Sequence, residues 1–390
     1  MTRIYLIRHA EAEGNLYRRA QGQYNSNLTA LGRRQVAALA ERFRDIPLDA
    51  LWSSDLYRAL STATAITKYH PQLQAFATPR LREQGLGAWE DVAWGDLARD
   101  DRQQLDWFSS DPARWHVYGG EPFASVCARM RSVLLEIAAQ YPDGTVAVVS
   151  HGMAIRALLS SVLGVSSDQI NRIPHGDNTA VSLLAAENGC LHVEWYNDNR
   201  HLADDTSTFA RQSWWRKEKG GSQDRDNVCF DPLTLPQDTA LYDHCYTSTW
   251  LASHGNLNGY APVIYEHTAA RHAQEDPSLL VKMSREGEVK GILELDPDRG
   301  EADSAGWISL IYMEPDYRRR RLGIQLLGHA VSVFRKKNRT HIRLHVSHTN
   351  QQAIGFYEYN GFLKLRSEAG VGGPLWLMDL DITPRIWTLP

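Results

Sequence analysis

The sequence predicts an α/β protein in two halves. The first is a three-layer α/β/α domain around a largely parallel sheet. The second has a different rhythm that includes a β-hairpin. Three observations lead there. Short apolar runs alternate with helix-like segments from Arg3 to Tyr196, the pattern of strands joined by helical crossovers. The composition shifts between Asp204 and Asp226 towards Ser, Thr, Gln, Gly and charge, as in a linker. At 390 residues the chain is long enough for two to three domains. The expected division is a first domain over 1–204, a linker over 205–228 and a second domain over 229–385.

In order, Arg3 to Ile7 is a buried strand that stops at Arg8-His9, followed by a turn through Gly14-Asn15. Residues 16–27 are a polar loop over the sheet edge, where Gln21 and Gly22 could meet a substrate. Thr29 caps a helix running to about Phe43. Ala50 to Ser53 is the second strand, Arg58 to Thr67 a helix, and Ala75 to Ala77 a short strand before Glu83. Residues 84–122 are irregular and rich in tryptophan; they are read as a lid, with the plain alternative that these aromatics only pack. Pro122 to Gln140 is an amphipathic helix. Thr145 to Ser150 is a strand ending at His151-Gly152, with a helix over Ala154 to Leu163. Strands over Asn178 to Leu184 and up to Tyr196 flank a turn at Glu187-Asn188-Gly189. His175 reads as structural, and Trp214 and Trp215 as aromatics that dock on a domain.

Two strands that each end in histidine, with arginines at 8 and 58 and a glutamate at 83, suit a phosphate pocket. Guanidinium groups orient phosphoryl oxygens through paired hydrogen bonds. A neutral imidazole can attack phosphorus, and a glutamic acid can protonate the leaving oxygen. These segments resemble the histidine phosphatase, or phosphoglycerate mutase-like, superfamily. The resemblance covers roughly residues 1–200. It rests on Arg8-His9-Ala10-Glu11 with Asn15, where Ala10 stands at a usual glycine, and on Leu28-Thr29-Ala30-Leu31-Gly32 with Gln35. It rests also on Ser53-Ser54-Asp55-Leu56-Tyr57-Arg58-Ala59 with Thr62-Ala63, and on Ser150-His151-Gly152. It implies that His9 is the phosphorylated nucleophile and Glu83 the proton donor. Arg8, Arg58 and His151, helped by Asn15, would bind the phosphoryl group, with Gln21, Gly22 and Gly152 in the substrate pocket. Leu86-Gly87-Ala88-Trp89-Glu90 and the short lid resemble the small-molecule phosphatases of the family. That favours hydrolysis of a small phosphomonoester, without a metal, over phosphoglycerate-type mutase chemistry.

The second half is read as a helix over Ala240 to about Asn256 and a helix before Asp276. A hairpin follows, over Leu279 to Ser284 and Val289 to Leu295, and then a strand over Trp307 to Met313. The arginine-rich turn Tyr317-Arg318-Arg319-Arg320-Arg321-Leu322-Gly323-Ile324 leads into a helix to Lys337. A helix start presents unpaired amides to an anion, although such a run taken alone is more often a solvated basic turn. Ile342 to Val346 is a strand. Together with Asn350, Ala353, Ile354, Phe356-Tyr357-Glu358 and Gly361-Phe362, the turn resembles the GNAT family of acyl-CoA-dependent N-acetyltransferases over roughly 230–383. That implies an α+β domain with a mixed sheet. Amides of Ile311 and Met313 and of the loop through Arg318, Arg319, Arg320, Arg321, Leu322, Gly323 and Ile324 would hold acetyl-CoA. Asn350 would contact the pantetheine arm and Tyr357 would protonate the departing thiolate. Arg321 departs from the pattern, standing at a position usually glycine. Glu294, on the strand before the pocket, is the candidate general base. The acceptor would be a small-molecule or peptide amine. A non-catalytic acyl-CoA sensor that regulates the phosphatase is the competing reading of this half.

Composition bounds the remaining classes. The net charge of −4 gives no basic field for nucleic acid. Apolar residues make up 43%, and no run approaches the roughly 20 residues of a membrane span. The chain opens on a strand rather than a basic-then-apolar leader. Cys127, Cys190, Cys229 and Cys245 are too dispersed for a zinc ribbon or disulfide framework. A cytoplasmic enzyme without a metal is the expectation.

Overall fold

The computed structural model describes residues 1–211 and 227–389. They form two compact units, one from residues 1–211 with 384–389 and the other Asn227–Thr383. Among the described residues no helix is long and apolar enough to cross a membrane.

The first unit opens with β1 (Thr2–Arg8), then α1 (Glu13–Tyr17), α2 (Ala30–Phe43), β2 (Ala50–Ser53), α3 (Tyr57–Ile66) and β3 (Ala75–Ala77). It continues with α4 (Trp94–Asp100), α5 (Arg102–Ser110), α6 (Phe123–Gln140), β4 (Thr145–Ser150), α7 (Gly152–Leu163), β5 (Val181–Glu187), β6 (Cys190–Asp198) and α8 (Thr208–Arg211). The sheet order is β3-β2-β4-β1-β5-β6. Strands β3, β2, β4 and β1 run parallel, and β5 runs antiparallel to both β1 and β6, so only β5 is reversed and the sheet is largely parallel, as expected. Ile4, Leu6 and Ile7 are fully buried because β1 is central, with helices on both faces.

Local chemistry sets the element boundaries. The Thr29 side chain accepts the Gly32 N–H at 2.9 Å, which starts α2 at its cap. Gly32 is required there: a Cβ would lie 2.1 Å from the Glu11 carbonyl oxygen. Residues 84–122 are more ordered than the sequence suggested, because α4 and α5 build a small core of their own. In it Trp89 and Trp115 are buried and pack edge-to-face, 5.5 Å apart, with Phe108 against both.

The expected linker is occupied by structure at both ends. Gln35 donates to Thr206 and Thr208, and Ser207 donates to Asp177 at 2.6 Å, so residues 206–208 belong to the first unit. Val228 is buried in the second. Trp214 and Trp215 lie outside the described residues. The C-terminal residues also depart from the expected division, since Trp387 donates its amide to Ser61 Oγ and stacks beneath Arg33 in the first unit.

The second unit has the order β7 (Cys229–Pro232), α9 (Thr239–His254), α10 (Pro262–Glu275), β8 (Leu280–Arg285), β9 (Glu288–Gly300) and β10 (Ala305–Met313). Then come α11 (Gly323–Lys336), β11 (His341–Ser347), α12 (Gln351–Tyr359), β12 (Leu363–Gly370) and β13 (Gly373–Asp381). Its seven strands follow the order β12-β13-β11-β10-β9-β8-β7. Strands β7, β12 and β13 were not foreseen. The β10–β11 pair is parallel but lasts only from Ala305–His341 to Trp307–Arg343. Beyond Trp307, β10 has no ladder partner on that side among the described residues, so its amides there can meet a ligand.

Candidate active sites

The first site follows from one register. Parallel pairing aligns Arg8 of β1 with Ser150 of β4, so the next residues, His9 and His151, leave the sheet side by side. Their ring centroids are 5.0 Å apart, at the carboxyl edge of the parallel strands. Both are buried. His9 Nδ1 lies 2.7 Å from the Ala10 carbonyl oxygen, which can only accept. Nδ1 therefore carries the proton and Nε2 bears the lone pair. Burial, then Arg58 and Arg8, hold His9 well below the ordinary imidazole range. The same burial, with Arg58, His9, Arg129 and Arg8, lowers His151.

Arg58, buried on α3, donates through Nη1 to the Tyr24 carbonyl at 2.9 Å and through Nη2 to the Gly22 carbonyl at 2.7 Å. Burial pushes it down to about 10, so it stays a cation at neutral pH. Gly22 adopts a left-handed conformation, and a Cβ on it would meet Glu90 Oε1 at 2.3 Å. Gly22 thus serves by turning its carbonyl onto Arg58. Arg8 donates through Nη1 to Gly176 at 2.5 Å, and its Nε lies beside Gly152. The Nε of Arg8, the Nε of Arg58 and both ring nitrogens of His151 are buried with no hydrogen-bond partner among the described residues. Buried donors of this kind call for an acceptor, and a phosphoryl group supplies three.

Glu83 sits at the N-terminus of α7. Its Oε1 accepts the amides of Gln84 at 2.9 Å and Ala154 at 2.8 Å, and Oε2 accepts Met153 at 3.1 Å. The carboxylate interacts with both Arg8 and Arg58. Asn15 and Gln21 make local contacts. Asn15 Oδ1 accepts the Ala12 amide at 3.1 Å, and Gln21 Oε1 accepts from Ser26 at 2.9 Å while its side chain covers Gly14.

Several contributors were not read from the sequence. Arg129 of α6 pairs with Glu121 at 2.7 Å and donates to the carbonyls of Arg80, Arg82 and Glu83, fixing the segment that carries the candidate acid. Gln23 also donates to the Glu83 carbonyl. Asp177, buried, gathers Ser207 and the Asn178 amide and interacts with Arg8. Glu11 turns away to Thr29 and Thr208, and its burial raises it. The lid tryptophans spend their surface on one another.

In the second unit, Arg319 and Arg321 both adopt φ of 59°, before the Gly323 start of α11. Left-handed residues in such a loop are the kind that form an anion-binding cradle of backbone amides. Arg321 therefore adopts the backbone conformation for which glycine is usual, at a steric cost of about 1–2 kcal/mol. Arg318 Nε donates to the Met313 carbonyl at 2.8 Å, tying the loop to the end of β10. The Arg320 guanidinium lies over Tyr317, while Leu322 and Ile324 are buried beneath the loop and Ile311 is half-buried on β10. Asn350 caps α12 through the Ala353 amide at 3.1 Å. Tyr357 is buried, which pushes its phenol up and keeps it protonated. The cradle, the unpaired edge of β10 and the protonated phenol suit the acyl-CoA group the sequence implied.

Glu294 of β9, also buried, accepts from Tyr242 Oη at 2.8 Å. His272 stands behind it. Arg271 donates to His272 Nε2 at 3.1 Å, so Nδ1 carries the proton and faces Glu294 Oε1 at 3.5 Å.

Comparison with known proteins accords with both halves. Residues 4–199 match the model of the histidine phosphatase superfamily (branch 1), and residues 240–362 match the acetyltransferase (GNAT) family. The chain belongs to the histidine phosphatase superfamily and carries a GNAT domain after it. It is 35% identical over 213 residues to the probable phosphoglycerate mutase GpmB of Proteus mirabilis, covering 52% of this chain and 96% of that one. It is 35% identical over 174 residues to the glucosyl-3-phosphoglycerate phosphatase of Mycolicibacterium vanbaalenii, covering 43% and 76%. It is 31% identical over 165 residues to phosphoserine phosphatase 1 of Hydrogenobacter thermophilus, covering 42% and 78%. Among solved structures, Bacillus stearothermophilus YhfR aligns with a TM-score of 0.50 and 29% identity, over 52% of this chain and 99% of its own.

Proposed function

We propose that the chain is a bifunctional enzyme. Its first unit would be a metal-independent phosphomonoesterase working through a phosphohistidine at His9, and its second an acetyl-CoA-dependent N-acetyltransferase. The observation that carries the phosphatase reading is the bond from His9 Nδ1 to the Ala10 carbonyl. It leaves Nε2 unprotonated in a buried, donor-rich pocket. Nε2 attacks phosphorus while Arg8 and Arg58 neutralise the developing oxygen charge and neutral His151 donates one ring N–H to it. Glu83, as the acid of this step, gives a proton to the leaving alkoxide through Oε2, the oxygen with one amide contact, at 3.1 Å. Water then attacks the phosphoramidate, with Glu83 as base, and returns His9 to its neutral form.

The relatives' names favour small phosphomonoesters, including phosphorylated amino acids and phosphoglycerates, as substrates. The mutase among them favours a second reading, in which the phosphohistidine survives product exchange and is passed to a new acceptor.

In the second unit acetyl-CoA supplies the acetyl group. Glu294 would take the proton of the amine, and Tyr357 would keep a proton for the departing sulfur. Substitution His9→Ala tests the first activity. Phosphate release in EDTA should fall to background with the melting temperature retained, and acid-labile phosphoenzyme should be absent. Substantial residual turnover would remove His9 as nucleophile. Transfer of label from phosphoenzyme to an added alcohol, in place of water, would select the mutase.

A further inference from the structure

The second unit holds a cleft of about 210 Å³ between α9 and α10 on one side and β9, β10 and β11 on the other. Its walls carry opposite charges at separate places. Glu294 and Asp296, two residues apart on β9, share one face of that strand. Arg299 lines the same cleft, although regular alternation would send it to the other face. The register explains how. Gly300 pairs with Ala305 and Asp296 with Trp307, so four steps on β9 match two on β10. The residues between, Pro297 to Arg299, stand against Gly306 alone and form a bulge that re-aims Arg299. Asp296 Oδ1 holds the bulge by accepting the amides of Asp298 at 3.0 Å and Arg299 at 3.1 Å.

The Arg299 guanidinium lies 3.8 Å from the centroid of Trp307 and donates to His345 Nδ1 at 3.2 Å. That His345 contact fixes its ring. His345 Nε2 then donates to Glu368, and burial, followed by Arg299, lowers the imidazole, so His345 adds no positive charge. Among the described residues Arg299 has no carboxylate partner. Its charge is held rigidly on an aromatic face and is not neutralised. The remaining wall is flat: Tyr246 and Tyr265 stack with centroids 4.3 Å apart and planes at 13°.

We infer that the acetyl acceptor is a small amino carboxylate, an amino acid or a short homologue, and not a simple amine or a protein amino terminus. Its amine meets Glu294 and Asp296, its carboxylate meets Arg299, and its body lies against the tyrosine pair. This rests on the acetyltransferase reading of the unit and deepens it. The chemistry balances: the ammonium gives one proton to solvent, the amine nitrogen bonds to the acetyl carbonyl carbon, its second proton goes to Glu294, the thioester C–S bond breaks, and the sulfur takes the proton of Tyr357 and leaves as thiol, the phenolate then regaining a proton from solvent. A chain with an amine at one end and no carboxylate near it leaves Arg299 unused. A decarboxylated amine also leaves Arg299 unused.

The test uses the full chain and three series. The first is amino acids of increasing amine-to-carboxylate distance (glycine, β-alanine, 4-aminobutyrate) with tyrosine and phenylalanine. The second is their methyl esters and decarboxylated amines. The third is a peptide with a free amino terminus and an amidated end. Acetylation is followed by thiol release, and binding by calorimetry without acetyl-CoA. The best amino carboxylate should exceed its ester and its decarboxylated amine by about tenfold or more in kcat/KM and in affinity, as for a lost charge-assisted contact. Arg299→Gln should bring that ratio to near unity, and Arg299→Lys should restore part of it.

Equal use of amines with and without the carboxylate, or a ratio that survives Arg299→Gln, would overturn the inference and leave the acetyltransferase intact. Binding of amino carboxylates that depends on Arg299, with no acetylation of any amine, would sustain the pocket and overturn the transferase reading. Failure of every amino carboxylate both to bind and to react would overturn the pocket.

Discussion

Replacing Glu83 by Gln separates its two roles, helix anchor and proton donor. As anchor, its oxygens receive three amides, two at Oε1 and one at Oε2. In the glutamine the carbonyl oxygen can keep the Oε1 place, but the NH2 group must take that of Oε2, where it faces the Met153 N–H. One charge-assisted bond becomes a donor–donor contact, a loss of about 1.5–3 kcal/mol. For a unit of this size, at about 2–4 °C per kcal/mol, that lowers the melting temperature by about 3–12 °C. As acid, Glu83 would contribute about 10²–10⁴ in rate when the leaving oxygen needs a proton, or about 3–5 kcal/mol of barrier. A nitrophenolate leaves without one. Steady-state assays should therefore show kcat/KM falling about a hundredfold or more for glycerol 2-phosphate and less than about tenfold for p-nitrophenyl phosphate. Equal losses on both esters, with the modest thermal shift, would refute the acid assignment. An unchanged melting temperature would refute the anchor.

Three further outcomes follow from the same coordinates. His9 and His151 are buried and held well below 6.5, and His201 is lowered to about 4, so the unfolded chain binds protons that the folded one refuses. Stability should be full above about pH 6.5 and fall below it by up to about 1.4 kcal/mol per pH unit for each histidine, read from urea midpoints between pH 7.5 and 5.5; a flat profile would contradict the assignment. Arg129→Met should cost about 3 kcal/mol and slow alkyl phosphates more than aryl ones, because Glu83 loses its support; adding Glu121→Leu should recover part of the stability, and no recovery would mean that the stranded charge is not the cost. Tyr357→Phe should slow acetyl transfer about 10–100-fold with the calorimetric Kd for acetyl-CoA retained, and an unchanged rate would remove the phenol from the reaction.

The legible parts of this chain are those where local pattern and global placement coincide. Arg3 to Ile7 is apolar enough to be a central strand, and Thr29 at a helix start has one evident use. Ser150-His151-Gly152 follows a β-branched run, so its place at a strand end could be read directly. What stayed hidden depends on distant partners. Arg129 lies in an amphipathic helix and reads as solvated, since nothing local says that Glu121 and three carbonyls await it. Asp177 sits in a turn-like stretch and takes its importance from Ser207 and Arg8. Residues 94–110 looked irregular because their apolar surface is spent on Trp89 and Trp115. The strands Leu363–Gly370 and Gly373–Asp381 did carry a signal, the alternation Leu363-Lys364-Leu365-Arg366, which the helical motif before them overshadowed. The bulge at Pro297 to Arg299 could not be read at all, because a register shift exists only between two strands.

The unpartnered nitrogens of Arg8, Arg58 and His151 have a consequence for how such an enzyme is handled. A pocket with buried unmet donors does not discriminate between a phosphoryl group about to react and one that has just left. Inorganic phosphate, the product, presents the same oxygens to the same nitrogens, and so do sulfate and vanadate. The pocket is therefore expected to be slow to empty and to be throttled by its own product as phosphate accumulates. A rate measured in phosphate buffer would report the occupied enzyme, and purification from sulfate would carry an inhibitor into the assay.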